Sequence, residues 1–140
     1  MGKPWDFLLG LRNTVPYGVS FNHRGMGGAD IKGNSYRTKE AQTLLSVKTD
    51  GSMILLVPEP GNQHDPNAIA LLAAHPLKDN PNQNWVWVHV GYVDADVASG
   101  WMTGWAHSND GALLVVEGEL ARYSRDKKRV LPGNKLRQYF

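Results

Sequence analysis

The clearest pattern along the chain is an alternation of valine with aromatic side chains between residues 85 and 93. The segment reads WVWVHVGYV, with valine at positions 86, 88 and 90 and tryptophan or histidine between them. Successive side chains of a strand point to opposite faces, and β-branched and aromatic residues favour strands. The pattern therefore predicts a strand over residues 85–93.

Two shorter apolar runs, 54–57 and 68–72, enclose a polar loop that contains three prolines. Runs of this length bounded by proline, glycine, asparagine and aspartate predict two strands. Each proline restricts its own φ and the residue before it, so we expect a stiff loop. The polar side chains that this loop brings close together are Glu59, Asn62, Gln63, His64, Asp65 and Asn67.

Two segments have the features of helices. Thr38 is a candidate N-cap for a helix of about ten residues, with Glu40 in its first turn and the Asp50-Gly51 turn beyond its end. Asp94 is a candidate N-cap for a second helix over 94–105. Glycines at positions 100 and 104 weaken that helix, so we expect it to be short or irregular.

Strands interleaved with two short helices predict a mainly β (α+β) domain, a small barrel with helical decoration. Residues 30–37 and 112–123 supply the first and last strands, the latter with a possible bulge at Gly118. We expect an N-terminal arm over 1–29, the barrel domain over 30–123 and a basic C-terminal tail over 124–140.

Composition narrows the classes of protein. A chain of 140 residues fits one domain, and the absence of cysteine excludes disulfides and thiolate metal sites. The absence of cysteine is compatible with a cytoplasmic location, and we expect that location. No apolar stretch is long enough for a membrane span, so we expect no membrane partner.

The net charge of +2 conceals an asymmetry. Residues 1–121 carry 8 basic and 12 acidic side chains (net −4), whereas 122–140 carry 7 basic and 1 acidic (net +6). A basic terminal segment is typical of nucleic-acid binding, and equally of a solubilising end. The candidate contacts with nucleic acid in this segment are Arg122, Arg125, Lys127, Lys128 and Arg129.

Catalytic and metal-binding patterns are not found. His64-Asp65 is the start of a metal-binding pattern, but the further ligands at suitable spacing are missing. The chain has no G-x-S-x-G motif and no phosphate-cradling G-x-x-x-x-G-K-[ST] loop. We therefore expect a binding module, not an enzyme, with no metal and no cofactor.

Three segments together resemble the HIRAN domain family. They are IKGNSYR at 31–37 with the following helix, LVPEPGNQHDPNAIALL at 56–72, and VGYVDADVA at 90–98. The specific piece is E-P-x-N-x-[YH]-D-P-N-A-I, followed some twenty residues later by V-G-Y. The likeness covers 30–102, extending to 123 at most. HIRAN domains occur in the helicase-like transcription factor group of fork remodellers and as stand-alone proteins in bacteria and phages.

The resemblance implies an SH3/OB-like barrel that binds single-stranded DNA at a free 3′-hydroxyl end, and a part in DNA repair. It implies that Asp65 accepts the hydroxyl hydrogen bond, with His64 and Tyr36 as the rings beside it and Tyr92 as a polar ring of the later strand. The family's arginine before Tyr36 is Ser35 here, with Arg37 on the other side, and the later lysine falls at Asp94 or Ala95. The basic tail is then the alternative source of positive charge.

Other interpretations stay open. Asp65 and Asn67 are residue types that bond local backbone N–H groups in turns, and Glu59 is a candidate for a solvated or loop-pairing charge. Tyr36 and Tyr92 fit barrel-edge packing, and His89 a surface or half-buried ring. The alternative function is docking of a host or replication protein on an exposed aromatic face. That face would comprise Trp85, Trp87, Trp101 and Trp105.

Overall fold

The computed structural model describes residues 18–20, 28–59, 62–76, 85–109, 114–124 and 127–138. Within these ranges the chain forms seven strands and two α-helices. The strands are β1 (Gly18–Ser20), β2 (Ala29–Lys32), β3 (Met53–Pro58), β4 (Ile69–Pro76), β5 (Trp85–Val93), β6 (Leu114–Ser124) and β7 (Lys127–Gln138). The helices are α1 (Lys39–Val47) and α2 (Ala95–Asn109), and a 3₁₀ turn (Asn34–Tyr36) follows β2.

Six of the strands form a closed antiparallel barrel. They are hydrogen-bonded in the order β7-β2-β5-β4-β3-β6, and β6 pairs again with β7 to close the sheet. Strand β1 pairs with the far end of β7, outside this ring. The prediction of a small, mainly β barrel with two helices is confirmed.

Alternation along the strands sorts side chains into the barrel interior and its outer surface. Ile54, Leu71 and Val90 lie inside, where residues of α1 and α2 pack against them. A second buried cluster, which includes Leu55, Leu72 and Trp87, lies on the opposite face of β3, β4 and β5. Both faces of these three strands are therefore buried, which explains their nearly continuous apolar sequences.

Local signals were accurate for β5 and α1. The structure has β5 at the predicted bounds. Thr38 is the N-cap of α1, and its hydroxyl oxygen accepts a hydrogen bond from the Ala41 N–H at 3.1 Å. Gly118 lies at a register shift between β6 and β7, as its bulge was predicted to do.

Helix α2 is longer than predicted. It extends over fifteen residues to Asn109, although Gly100 lies within it. Its Ala98 and Trp101 side chains are buried in the interior cluster. Tertiary packing of this face outweighs the unfavourable helix propensity of glycine.

The strand predicted over residues 30–37 is β2, and it is shorter than predicted. It ends at Lys32, because Gly33 adopts a φ of 75° and turns the chain into the 3₁₀ turn. This is the left-handed region, which glycine enters without steric cost.

The segment expected to be a basic tail forms strand β7. It pairs with β6 from Ser124↔Lys127 to Leu114↔Gln138. Pro132-Gly133-Asn134 looks like a turn in the sequence, but here Glu117 pairs with Lys135 and Gly118 with Pro132, so the intervening residues form a bulge. The barrel thus extends beyond residue 123. Part of the expected N-terminal arm is also paired, as β1.

Candidate nucleic-acid interface

The three segments that carry the resemblance lie next to one another in the barrel. Lys32 of β2 pairs with Tyr92 of β5, and Tyr92 pairs with Ala70 of β4. The 3₁₀ turn begins two residues after Lys32, and the loop residues 62–68 directly precede β4. The barrel therefore brings together segments that are some thirty residues apart in the sequence.

The 3₁₀ turn presents Tyr36 to solvent. Among the residues that the structure describes, Tyr36 is the most exposed of the large hydrophobic side chains, at 90%. The turn is anchored beneath it, because the Asn34 side-chain amide donates a hydrogen bond to the Val90 carbonyl at 2.7 Å. The Tyr36 and Arg37 N–H groups donate to the carbonyls of Gly33 and Asn34. Tyr36 is thus an exposed ring on a fixed support, not a packing residue at the barrel edge.

The loop over residues 59–68 is held by its own polar side chains. The Asn62 Oδ1 atom accepts hydrogen bonds from the backbone N–H groups of His64 and Asp65, at 2.9 and 3.0 Å. Asp65 Oδ1 in turn accepts from the Asn67 N–H at 2.9 Å. These are the local turn bonds expected of Asn and Asp.

This arrangement assigns Asp65 a structural role through one oxygen only. Its Oδ1 atom stabilises the turn, whereas Oδ2 makes no hydrogen bond among the described residues. Asp65 is half-buried, and the neighbouring His64 and Asn67 are exposed. The loop therefore presents one carboxyl oxygen beside an exposed imidazole ring.

Glu59 lies at the base of the loop and is not a solvated charge. The residue is 2% exposed, and its Oε1 atom accepts hydrogen bonds from Asn62 Nδ2 at 2.9 Å and from the Tyr92 hydroxyl at 3.1 Å. The alternative of a loop-pairing group is the correct one. Sequence reasoning missed the burial, although Glu59 follows an apolar run directly.

Tyr92 and His89 are packed within the barrel wall. Tyr92 is half-buried, and its hydroxyl is committed to Glu59. The His89 ring meets the Tyr92 ring edge-on, with centroids 4.9 Å apart, and its Nε2 atom is 2.9 Å from the Gly91 carbonyl oxygen. His89 is 7% exposed, so the prediction of a surface or half-buried ring is wrong. The pairing of β4 with β5 shifts register at Leu71/Leu72, beside Val90, and this interrupts the alternation of inward and outward side chains along β5.

Five basic residues of the C-terminal segment were predicted to contact nucleic acid, and two of them donate hydrogen bonds to backbone carbonyl groups of the protein. Lys128 Nζ donates hydrogen bonds to the carbonyls of Leu45 and Lys48 at the end of α1. Arg129 donates to the Gly28 carbonyl, and its Nε atom lies 3.4 Å from Asp30 Oδ1. Arg125 lies outside the described residues, as do the side chains of Arg122 and Lys127.

A cation that sequence reasoning missed lies closer to the site. Lys32 is exposed and is the pairing partner of Tyr92. Its neighbour Ile31 packs against the interior cluster, so Lys32 points to the outer surface. The sequence contains one signal for this position: Ile31 is apolar and Lys32 is charged, as expected of neighbours on opposite faces of a strand. Arg37, half-buried, follows Tyr36 on the other side of the turn.

Two of the four members of the aromatic face proposed for protein docking are buried. Trp87 and Trp101 are 2% and 5% exposed and belong to different buried clusters, on opposite sides of the barrel wall. The side chains of Trp85 and Trp105 lie outside the described residues.

The described ranges contain neither a cluster of metal ligands nor a membrane-spanning helix. No group of three potential metal-ligating side chains occurs among these residues. No helix in the same part of the chain is long and apolar enough to cross a membrane.

Comparison of the chain with protein-family models, with curated proteins and with solved structures finds no match.

Proposed function

We propose that this protein is a HIRAN-like module that binds single-stranded DNA and prefers a free 3′-hydroxyl end. The observation that carries the proposal is the position of Tyr36. Tyr36 is 90% exposed on an anchored turn that follows β2, and Tyr92 of β5 connects β2 to the base of the loop that presents His64 and Asp65. An exposed aromatic ring on a fixed support is the kind of platform on which a nucleic-acid base stacks.

Stacking supplies the affinity in this proposal. Every base has a flat π-face, so an aromatic platform binds bases without regard to sequence, for about 1–3 kcal/mol per base. Tyr36 provides one such platform and the exposed His64 ring a second. The Tyr92 hydroxyl is already bonded to Glu59, so Tyr92 helps to hold the loop and is not one of the stacking platforms in this proposal.

Asp65 supplies the preference for a strand end. Its Oδ2 atom is available to accept a hydrogen bond from a terminal hydroxyl, whereas a phosphate at the same place would be repelled by the like charge. The bond from Asn67 N–H to Oδ1 fixes the direction of the carboxyl group.

Positive charge for the backbone phosphates comes, in this proposal, from Lys32 and Arg37. Both flank the Tyr36 turn in sequence, and Lys32 pairs with Tyr92. The amine of Lys128 and the guanidinium of Arg129 are bonded to the protein backbone, which makes them poor sources of such contacts. Phosphate contacts of this kind give binding that weakens with salt.

The test is fluorescence anisotropy with labelled oligonucleotides that end in a 3′-hydroxyl or a 3′-phosphate, at two salt concentrations. Tyr36→Ala is expected to weaken binding by about 1–3 kcal/mol without unfolding the protein, since the side chain is exposed. Val47→Ala removes another exposed apolar side chain, at the end of α1, and serves as the matched control.

Asp65→Asn tests the end preference separately. Asparagine keeps the turn-forming oxygen and removes the charge, so the discrimination against a 3′-phosphate is expected to disappear while the loop stays folded. Asp50→Asn, in the exposed turn before β3, is the control for loss of one negative charge. No binding of the wild-type protein at low salt would sink the proposal.

A further inference from the structure

We infer that the buried Glu59 is a positioning residue that sets the spacing between the two halves of the candidate site. One half is the turn that carries Tyr36, and the other is the loop that carries His64 and Asp65. The consequence for DNA rests on the proposed function, but the positioning itself is independent of any ligand.

The Glu59 carboxyl group joins strand β5 to the loop. Its Oε1 atom accepts from the Tyr92 hydroxyl, 33 positions away in sequence, and from the Asn62 side-chain amide. Glu59 is also tied through its backbone, because its N–H donates to the Ala68 carbonyl and its carbonyl accepts from the Asn62 N–H. Removing a carboxyl oxygen from water is costly unless hydrogen bonds satisfy it, and the two bonds to Oε1 do so for that atom of a residue that is 2% exposed.

Asn62 passes this constraint to the residues that would contact DNA. Its Nδ2 atom is bonded to Glu59, so the amide plane is fixed, and its Oδ1 atom then accepts from the N–H groups of His64 and Asp65. The orientation of the exposed end of the loop is thereby linked to a buried carboxyl group.

Tyr92 connects the same group to the other half of the site. A Cβ atom at Gly33 would lie 3.6 Å from Tyr92 Cδ2, in ordinary contact with the ring. Gly33 is the residue from which the 3₁₀ turn begins. The Tyr92 ring therefore lies beside the base of the Tyr36 turn, and its hydroxyl holds the base of the loop.

Hydrogen exchange of the backbone amides tests this inference without DNA. Glu59→Ala is expected to raise the exchange rates of the His64 and Asp65 amides on the order of tenfold, since an acceptor shared by two donors is lost. Tyr92→Phe removes only the hydroxyl and is expected to raise the same rates by a smaller factor. Glu59→Gln keeps an oxygen acceptor and is expected to restore most of the protection.

Two controls separate positioning from general stability. Glu119→Ala makes the same chemical change as Glu59→Ala at an exposed position of β6 and should leave both amides unchanged. The Leu71 amide, in the barrel wall, reports global opening. An equal rise at Leu71 and in the loop, or no rise in the loop for either Glu59→Ala or Tyr92→Phe, would overturn the inference.

A second measurement relates the inference to binding. If the proposed function holds, Glu59→Ala lowers the affinity for 3′-hydroxyl oligonucleotides about tenfold, and Glu59→Gln restores it to within about threefold. If the wild-type protein binds no DNA, the proposed function fails, whereas the exchange rates still decide the role of Glu59. Loop exchange that rises with unchanged affinity of a DNA-binding protein would overturn the link between positioning and binding.

Discussion

The ammonium group of Lys128 donates a hydrogen bond to the carbonyl of Leu45, in the last turn of α1. The same group donates to the Lys48 carbonyl at 3.2 Å. The final carbonyls of a helix have no partner within the helix and carry a partial negative charge, so a cation there is favourable. A residue of the basic C-terminal segment thus caps a helix 83 positions earlier in the chain.

Replacing Lys128 should therefore affect stability more than DNA binding. Lys128→Met is expected to lower the free energy of unfolding by about 1–2 kcal/mol, because two charge-assisted hydrogen bonds are lost. Urea denaturation measures this change. Lys39→Met, at the opposite end of α1, is the control and should shift stability by less than about 0.5 kcal/mol. Equal effects of the two substitutions would contradict the capping role.

Lys32 is expected to contact a backbone phosphate of bound DNA. Lys32→Ala should weaken binding to single-stranded oligonucleotides of any sequence and reduce the slope of log affinity against log salt by about 0.7. Lys39→Ala removes an exposed lysine from the first turn of α1 and should leave that slope unchanged. Anisotropy titrations over a range of salt concentrations make the comparison, and identical slopes for Lys32→Ala and the wild type would refute the contact.

Gly91 is expected to be intolerant of a side chain. A Cβ atom there would lie 2.9 Å from the Lys32 carbonyl oxygen and 3.0 Å from Ile31 Cγ2, at the contact between β2 and β5. Gly91→Ala should lower the free energy of unfolding by about 1–3 kcal/mol. At Gly100, among the described residues, no atom outside the adjoining turns of its own helix lies within 4 Å of such a position, so Gly100→Ala should raise stability by up to about 1 kcal/mol. Thermal or urea denaturation of both variants gives the two signs, and a loss at both positions would argue against the close contact at Gly91.

Lys48 introduces a pH dependence of stability at alkaline pH. Burial lowers the pKa of its amine from the usual 10.5, since the charged form loses solvation. Between the lowered value and 10.5 the unfolded chain binds more protons than the folded protein, so this contribution to stability increases as pH rises. Lys48→Gln should be more stable than the wild type near neutral pH, with a difference that narrows as pH approaches 10.5. Denaturation across this range tests the sign, and a constant difference would contradict it.

Short-range signals predicted much of the fold. Alternation over 85–93 and the Thr38 cap involve residues only a few positions apart, and both were found where the sequence indicates. The loop with Asp65 was also predicted, because asparagine and aspartate bond their own nearby backbone. Strand β7 was missed, since its many basic residues indicate an exposed tail and only pairing with β6 makes the segment a strand.

Local sequence patterns were sufficient to predict strands β3 to β6, the helix cap, the stiff polar loop and the residue types available for a binding site. The tertiary structure decided which of those residues face solvent. The buried Glu59 is hydrogen-bonded to Tyr92 of β5. Lys128 of β7 caps the end of α1, which is distant in the sequence. Local patterns reflect bonds between near neighbours, whereas exposure and the pairing of charges depend on elements that meet only when the barrel closes.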